Sequence, residues 1–482
     1  MFSKTNQTFF HVVFIFLFID ILFLTKSVFP CTIAVVSSKA TVDGKPVLMK
    51  NRDDSDAWEQ EVKFYDAKNP TAGGNISVVK WGKTTFLSPY PDTINAGGAN
   101  EAGLAITNTN VVGINPLHEM TNSLIELLNN ALETCATVDD FENLLETWHY
   151  NNRTKTVNGV FGMIDAHGGA AIFEVTSRYI GSPLLYERFN ADDAFDENGN
   201  FLGYIVRTND HQWGIYEGGV DREKRTNEIL KELSLNDSLS YTSLMQDVAR
   251  DVCGDIEKKY RDKDPSPIGS EVNNSKGNIY ATSTYIDNFY TGFCISRYNT
   301  SSSIVVQGVE ENGNPALTTM WVSLGEPSVG IFTPYFPASK RVPPYAWADE
   351  IPEHNNIVDE SSASVLNSAI VETGELSVYS NNILSYAYID GRKRYAMDKT
   401  INYEKVMELQ QWILPLEDII IKNTEDYLDC LRNNSPFINS EDLFSFSDYA
   451  TTYAYKNYIG FKEVYSDYSD WNFKNSCSRV SQ

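Results

Sequence analysis

Cys31-Thr32-Ile33-Ala34-Val35-Val36, a turn at Asp43-Gly44, and the return Pro46-Val47-Leu48-Met49-Lys50-Asn51-Arg52-Asp53-Asp54 make up the stretch on which this chain turns. Two β-branched and apolar runs separated by Asp-Gly predict a hairpin, with strands over Thr32–Val36 and Pro46–Met49. The second strand ends at Asn51-Arg52-Asp53, so it returns a cation and a carboxylate to the side of Cys31. If the chain is cut between Pro30 and Cys31, that cysteine carries a thiol and a free α-amine together. Such a residue is a nucleophile with its own base.

Working outward, residues 1–30 hold one early Lys4, an apolar run from Phe9 to Leu24 interrupted by Asp20, and a short tail to Pro30. This reads as a secretory signal peptide, which predicts a secreted or periplasmic protein. Val28 and Pro30 are not the small pair that a signal peptidase prefers, and the rivals are an uncleaved anchor or a lipid-modified cysteine. No later segment is apolar enough to span a bilayer, so no membrane partner is expected once the leader is removed.

The 482 residues, 42% of them hydrophobic and 21% charged, are ordinary for a globular protein with a sizeable core. A net charge of −25 argues against a nucleic-acid partner, because phosphate binding needs clustered Lys and Arg. The six cysteines are Cys31, Cys135, Cys253, Cys294, Cys430 and Cys477. None forms Cys-x-x-Cys, no His-Glu-x-x-His occurs, and no metal or cofactor is expected. If Cys31 is catalytic, five cysteines remain and at least one thiol stays unpaired.

Further along, Gly73–Trp81 reads as a turn and strand, and the glycine-rich Asn95–Leu104 turn leads into another. Helical spacing covers Asn122–Cys135 and Val138–Trp148, the second started by Thr137. Strands return at Gly159–Asp165 and Ala170–Val175 around Ala166-His167-Gly168-Gly169, and again at Phe201–Thr208. Asp221–Leu233 and Ser243–Cys253 read as helices. Ile279–Asp287, Gly292–Tyr298, Ser303–Gly308 and Thr318–Leu324 read as closing strands. This order suits an α+β sandwich with helices outside stacked sheets. We divide the chain into a leader (1–30), a core (31–344) and a C-terminal, partly helical extension (345–482). In that extension Pro415 should kink or end a helix carried by Val406, Leu409, Trp412, Ile413 and Leu416. The Tyr-rich stretch Phe444–Trp471 reads as packing surface.

Thiolate chemistry at Cys31 calls for a nearby cation, from Arg52 or Lys50, and a carboxylate, Asp53, to hold the amine. An oxyanion is best met by neutral donors, for which Asn100 and Asn209 stand at strand–turn junctions. Four motifs therefore occur in order: Cys31-Thr32, Lys50-Asn51-Arg52-Asp53, Asn100-Glu101-Ala102-Gly103-Leu104-Ala105-Ile106, and Arg207-Thr208-Asn209-Asp210. Together they resemble the choloylglycine hydrolase and isopenicillin-N acyltransferase-like branch of the N-terminal nucleophile (Ntn) hydrolases, over roughly residues 31–340.

The resemblance implies a four-layer αββα sandwich and a cysteine amidohydrolase that cleaves a linear C–N amide of a small molecule. It implies Cys31 as nucleophile, Asp53 as the carboxylate near the amine, and Asn100 and Asn209 as oxyanion and substrate-orienting groups. The cation beside the sulfur falls on Arg52 or Lys50, and a later family arginine falls on Arg225 or Arg222; we take Arg52 and Arg225. The plainer readings are a disulfide cysteine at 31, a solvated or calcium-binding acidic loop at 51–56, and ordinary turn asparagines. His167 and His211 read as turn or surface residues. An acyltransferase or dipeptidase on the same scaffold is the alternative enzyme. A membrane-anchored surface binding protein is the alternative class.

Overall fold

The computed structural model describes residues 31–53, 60–67, 76–81, 96–111, 123–209, 219–252, 288–290, 294–297, 300–346, 400–434 and 438–459. The expected leader, the turn at Gly73, the acidic loop beyond Asp53, His211 and the expected strand over Ile279–Asp287 lie outside them. In chain order the main elements begin β1 (Thr32–Val36), β2 (Val47–Asp53), β3 (Val62–Tyr65), β4 (Val78–Trp81), β5 (Gly97–Asn100) and β6 (Ala105–Asn110). Helices α1 (Leu124–Thr134) and α2 (Val138–Asn151) precede β7 (Asn158–Ile164), β8 (Ala170–Ser177), β9 (Leu184–Asn190), β10 (Tyr204–Arg207) and α3 (Val220–Leu235). The chain closes with β11 (Asn288–Tyr290), β12 (Thr300–Gln307), β13 (Thr319–Leu324), β14 (Phe332–Tyr335), β15 (Thr400–Asn402), α4 (Tyr403–Asn434) and α5 (Ser440–Ile459).

Two antiparallel sheets form the centre of this α+β fold. One has six strands in the order β10-β1-β2-β12-β13-β14, and the other seven in the order β3 to β9. The opening hairpin pairs Thr32 with Asn51 and Val36 with Val47. Its turn is eased by Gly44 in the left-handed region, at φ 68°.

Strand β7 shows why the sheets stack. Val160 and Ile164 pack with Ile33 and Leu48 of the first sheet, whereas Phe161 and Met163 pack with Leu127, Leu128 and Phe141 of α1 and α2. Alternate side chains leave a strand on opposite faces, so β7 is buried on both. Gly162 marks the closest approach: a methyl there would meet Ile33 at 2.6 Å and Leu48 at 3.1 Å. Helix α2 starts as expected. Thr137 accepts from Asp140 N at 3.1 Å, and the Asp140 carboxylate accepts from Thr137 N at 2.9 Å, a reciprocal capping box.

Several elements differ from expectation; Gly97–Asn100, expected within a glycine-rich turn, is strand β5. Of the strand expected over Gly292–Tyr298, the described residues Cys294–Arg297 form a bend, whose Ile295 O accepts from Asn51 and whose Ser296 N donates to Asp251 O. The helix expected over Ser243–Cys253 is a short turn at Tyr241–Ser243 running into a π turn at Leu244–Val248. Helix α4 neither ends nor breaks at Pro415 but continues to Asn434. A proline costs one backbone hydrogen bond there, and burial of Val406, Leu409, Ile413, Ile420, Leu428 and Leu431 along the same helix outweighs it. Several of these residues, with Ala450, Tyr453 and Ala454 of α5, join the same apolar cluster as Ile33 and Leu48. No helix among the described residues is long and apolar enough to cross a membrane.

Candidate active site

The end of the central hairpin gathers the groups of interest. Cys31 and Cys135 are buried and in no disulfide, while Cys294 and Cys430 are disulfide-bonded. The nitrogen of Cys31, a peptide N–H in the full chain and an α-amine in a chain cut after Pro30, donates to Asn209 Oδ1 at 2.6 Å. Its carbonyl accepts from Arg222 Nη1 at 2.7 Å. Arg222 also reaches Thr32 Oγ1 at 2.9 Å and Asn209 Oδ1 at 3.2 Å. Both backbone polar groups of Cys31 are therefore held by side chains.

Arg222 stands on the first turn of α3, whose start is set by Gly219 at φ 96°. A side chain at 219 would overlap Arg222 Nη2 and crowd Thr208. Glycine is needed there both for the turn and for the passage of the guanidinium. Burial pushes Arg222 down to about 10, against the pull of Asp53 and the Cys31 sulfur, so it stays cationic at neutral pH.

Asp53 is the acidic counterpart. Arg222 lies 3.7 Å from its Oδ2 and Arg297 3.8 Å, while Thr300 donates to Oδ1 at 2.6 Å. Burial pushes the Asp53 carboxyl above the usual carboxylate range; Arg297, Arg222, Thr300 and Lys50 each pull it back. Oδ2 is buried without a hydrogen-bond partner among the described residues.

The two candidate cations on β2 have different positions. Lys50 bridges the sheets, donating to Ala96 O and Asn108 Oδ1 at 3.1 Å each. Arg52 is buried, and extending the β1–β2 register by one residue sets it across from Cys31. Asn51, between them, faces the other way and donates to Ala249 O at 2.9 Å and Ile295 O at 3.0 Å.

The asparagines divide. Asn209 holds Cys31 N, and its amide donates to Thr109 Oγ1 and Asn110 O at 2.7 Å each. Asn100, expected as an oxyanion donor, has its side chain engaged within the fold. Its two amide protons go to Leu132 O at 3.0 Å and Cys135 O at 2.8 Å, and its Oδ1 accepts from Ala102 N and Leu104 N. With every position of the side chain spent, Asn100 pins the β5–β6 turn to the end of α1.

Arg225, expected as the later family arginine, is bonded away from Cys31. It pairs with Asp251 at 2.8 Å, and the arginine at Cys31 is Arg222, one helical turn earlier. Arg297 and Thr300 escaped the sequence reading. Only their place at the head of β12, the strand beside β2, could have shown them. His167 is a turn residue bonded to Asn312. A cavity of about 360 Å³ lies along α3 and α4, lined by residues that include Arg225, Asp247, Arg250 and Gln410 but not Cys31 or Asp53.

No protein-family model and no curated protein matches this chain. Among solved structures it is similar to two variants of the conjugated bile acid hydrolase from Clostridium perfringens. Each is 12% identical, at a TM-score of 0.32, over 61% of this chain and 89% of that one. It is also similar to penicillin V acylase from Agrobacterium tumefaciens, 11% identical at a TM-score of 0.33, over 64% of this chain and 86% of that one. At these scores the fold rests on the two sheets of this chain and the chemistry on its own residues.

Proposed function

We propose that this protein is an exported cysteine amidohydrolase of the Ntn type, built on an αββα sandwich and made active when the chain is cut between Pro30 and Cys31. The observation that carries the reading is the 2.6 Å bond from Cys31 N to Asn209 Oδ1, with Arg222 on the same residue's carbonyl. A strand interior needs no such grip. A chain terminus that must hold an amine beside its own thiol does.

In the cut chain the neutral amine takes the proton of the Cys31 thiol. The thiolate attacks the carbonyl carbon of a linear amide, and the C=O electrons move to oxygen. Asn209 orients the amine, and Arg222 and Arg52 favour thiolate by their charge. We assign the oxyanion to Asn110. It follows Asn108 by two residues on β6, hence on the face that meets Lys50, and its carbonyl shares Asn209 with Cys31 N. Collapse of the tetrahedral adduct breaks the C–N bond, and the ammonium returns the proton to the leaving nitrogen. Water, deprotonated by the amine, then frees the acid from the thioester.

Disulfide bonding of Cys294 and Cys430 supports an oxidising destination. The test is a screen of N-acyl amines and short peptides with the wild type and Cys31→Ala. Turnover that vanishes in a folded Cys31→Ala protein is expected; turnover that persists overturns the mechanism.

A further inference from the structure

Residues 249–251 touch three of the elements around Asp53, namely β2, α3 and the bend carrying Arg297; the fourth, β12, reaches Asp53 directly through Thr300. Ala249 O accepts from Asn51 on β2, the residue two before Asp53. The Asp251 side chain holds Arg225, one turn along α3 from Arg222. Asp251 O accepts from Ser296 N at 2.8 Å, next to Arg297. The residue between them, Arg250, is buried and donates to Pro327 O at 2.7 Å and to Glu417 of α4. Glu417 in turn accepts from Phe332 N at 2.8 Å. A buried ion pair between the C-terminal extension and the core thus ends on the one short segment that spans β2, α3 and the bend carrying Arg297.

We propose that Arg250 and Glu417 are positioning residues for the Cys31 site, and that the C-terminal helix α4 is part of the catalytic unit. The inference rests on the proposed role of Cys31. Glu417 fixes Arg250; Arg250 fixes the 249–251 segment; that segment fixes Asn51, Arg225 and Ser296, and through them Asp53, Arg222 and Arg297. Among the described residues the charged groups near Cys31 are Arg222 from α3, which holds its carbonyl, and Arg52 from β2, across from it by register; Asp53 and Arg297 act through Arg222, and a cut chain adds the α-amine. A shift of any of the three elements changes their spacing, and with it the thiolate fraction.

The test uses the full-length protein as secreted and needs no substrate. Alkylation by iodoacetamide is followed at Cys31 by peptide mass spectrometry across pH 5–9. Glu417→Gln should slow Cys31 by about tenfold at neutral pH and move its pH midpoint. Glu441→Gln breaks the exposed Arg341 pair that ties down the same extension, and should leave both within about twofold. Because Glu417→Gln strands a buried cation and can unfold the protein, the double variant Arg250→Met with Glu417→Leu is read beside it. Removing both charges is often neutral for folding, yet it cuts the same anchor, so it should show the same slowing and the same shift. Unchanged rate and midpoint in the folded variants, with a reactive wild-type Cys31, overturn the positioning role alone. A wild-type Cys31 no more reactive than Cys135 overturns the nucleophile reading and this proposal with it.

Discussion

Asp53 and Arg222 show how much of this site is electrostatic. Each is buried within 4 Å of the other; Arg297 is a second cation beside Asp53 and works against the charge on Arg222. Lysine cannot reproduce the fork with which Arg222 holds Cys31 O, Thr32 and Asn209, so Arg222→Lys should cut turnover by about 100-fold while the protein stays folded. Steady-state rates with circular dichroism check this. Asp53 also gives a pH signature. Burial holds its carboxyl above the ordinary value, so between the unfolded and folded pKa values the folded chain keeps a proton that the unfolded chain has lost. Stability from this group is complete below the unfolded pKa and falls as pH rises through the folded one. Asp53→Asn lacks that fall. Urea midpoints from pH 4 to 7 should therefore show the variant gaining on wild type as pH rises, and a constant difference would contradict the shift. Cys31, Asp53 and Asn209 were legible as residues because the motif order exposes them. Arg222 was not separable from Arg225, since one helical turn changes the face and nothing in Asp221-Arg222-Glu223-Lys224-Arg225 marks which face meets β1.

Among elements, the strands that escaped the sequence are instructive. β3, β9 and β14 each lie at the edge of a sheet, while β5 is interior and is hidden by its Gly97-Gly98 sequence. Edge strands are half solvated or interrupted, as β14 is by Pro334, so they lose the patterning that betrays interior strands. Central strands such as β1, β7 and β8 were plain, because both faces are buried and both read apolar. The turn into α3 is where backbone and chemistry meet. Gly219→Ala should lose about 1–3 kcal/mol and most activity, because the left-handed turn is strained and Arg222 is displaced. Gly44→Ala is the contrast: it shares a positive φ, but an added methyl there meets nothing within 4 Å. It should lose only about 1 kcal/mol and keep activity. Chemical denaturation and turnover of the pair separate backbone strain from displacement. Thr137→Ala, which removes a helix cap remote from Cys31, should cost about 1 kcal/mol and leave turnover unchanged.

At the scale of the molecule, the extension is continuous with the core. Tyr427 stacks on Phe446 with centroids 4.6 Å apart, and Phe446 meets Phe336 at 6.4 Å. Tyr241 donates to Glu425 at 2.8 Å while stacking on Trp321. A chain ending near residue 346 would expose the apolar faces of β13 and β14, so it should aggregate or unfold, by size-exclusion chromatography and near-UV circular dichroism. A soluble, active 31–346 fragment would show the extension to be an appendage. The sequence placed a boundary near 345 because composition changes there, but composition does not report which face of α4 meets the sheet.

The central claim is that Cys31 becomes a chain terminus, and the most direct measurement is the intact mass and N-terminal sequence of the protein recovered from its native host. A mature chain beginning at Cys31 with a free amine is predicted. A chain beginning at Met1, or cut beyond Cys31, would contradict it, because the base or the nucleophile would be missing.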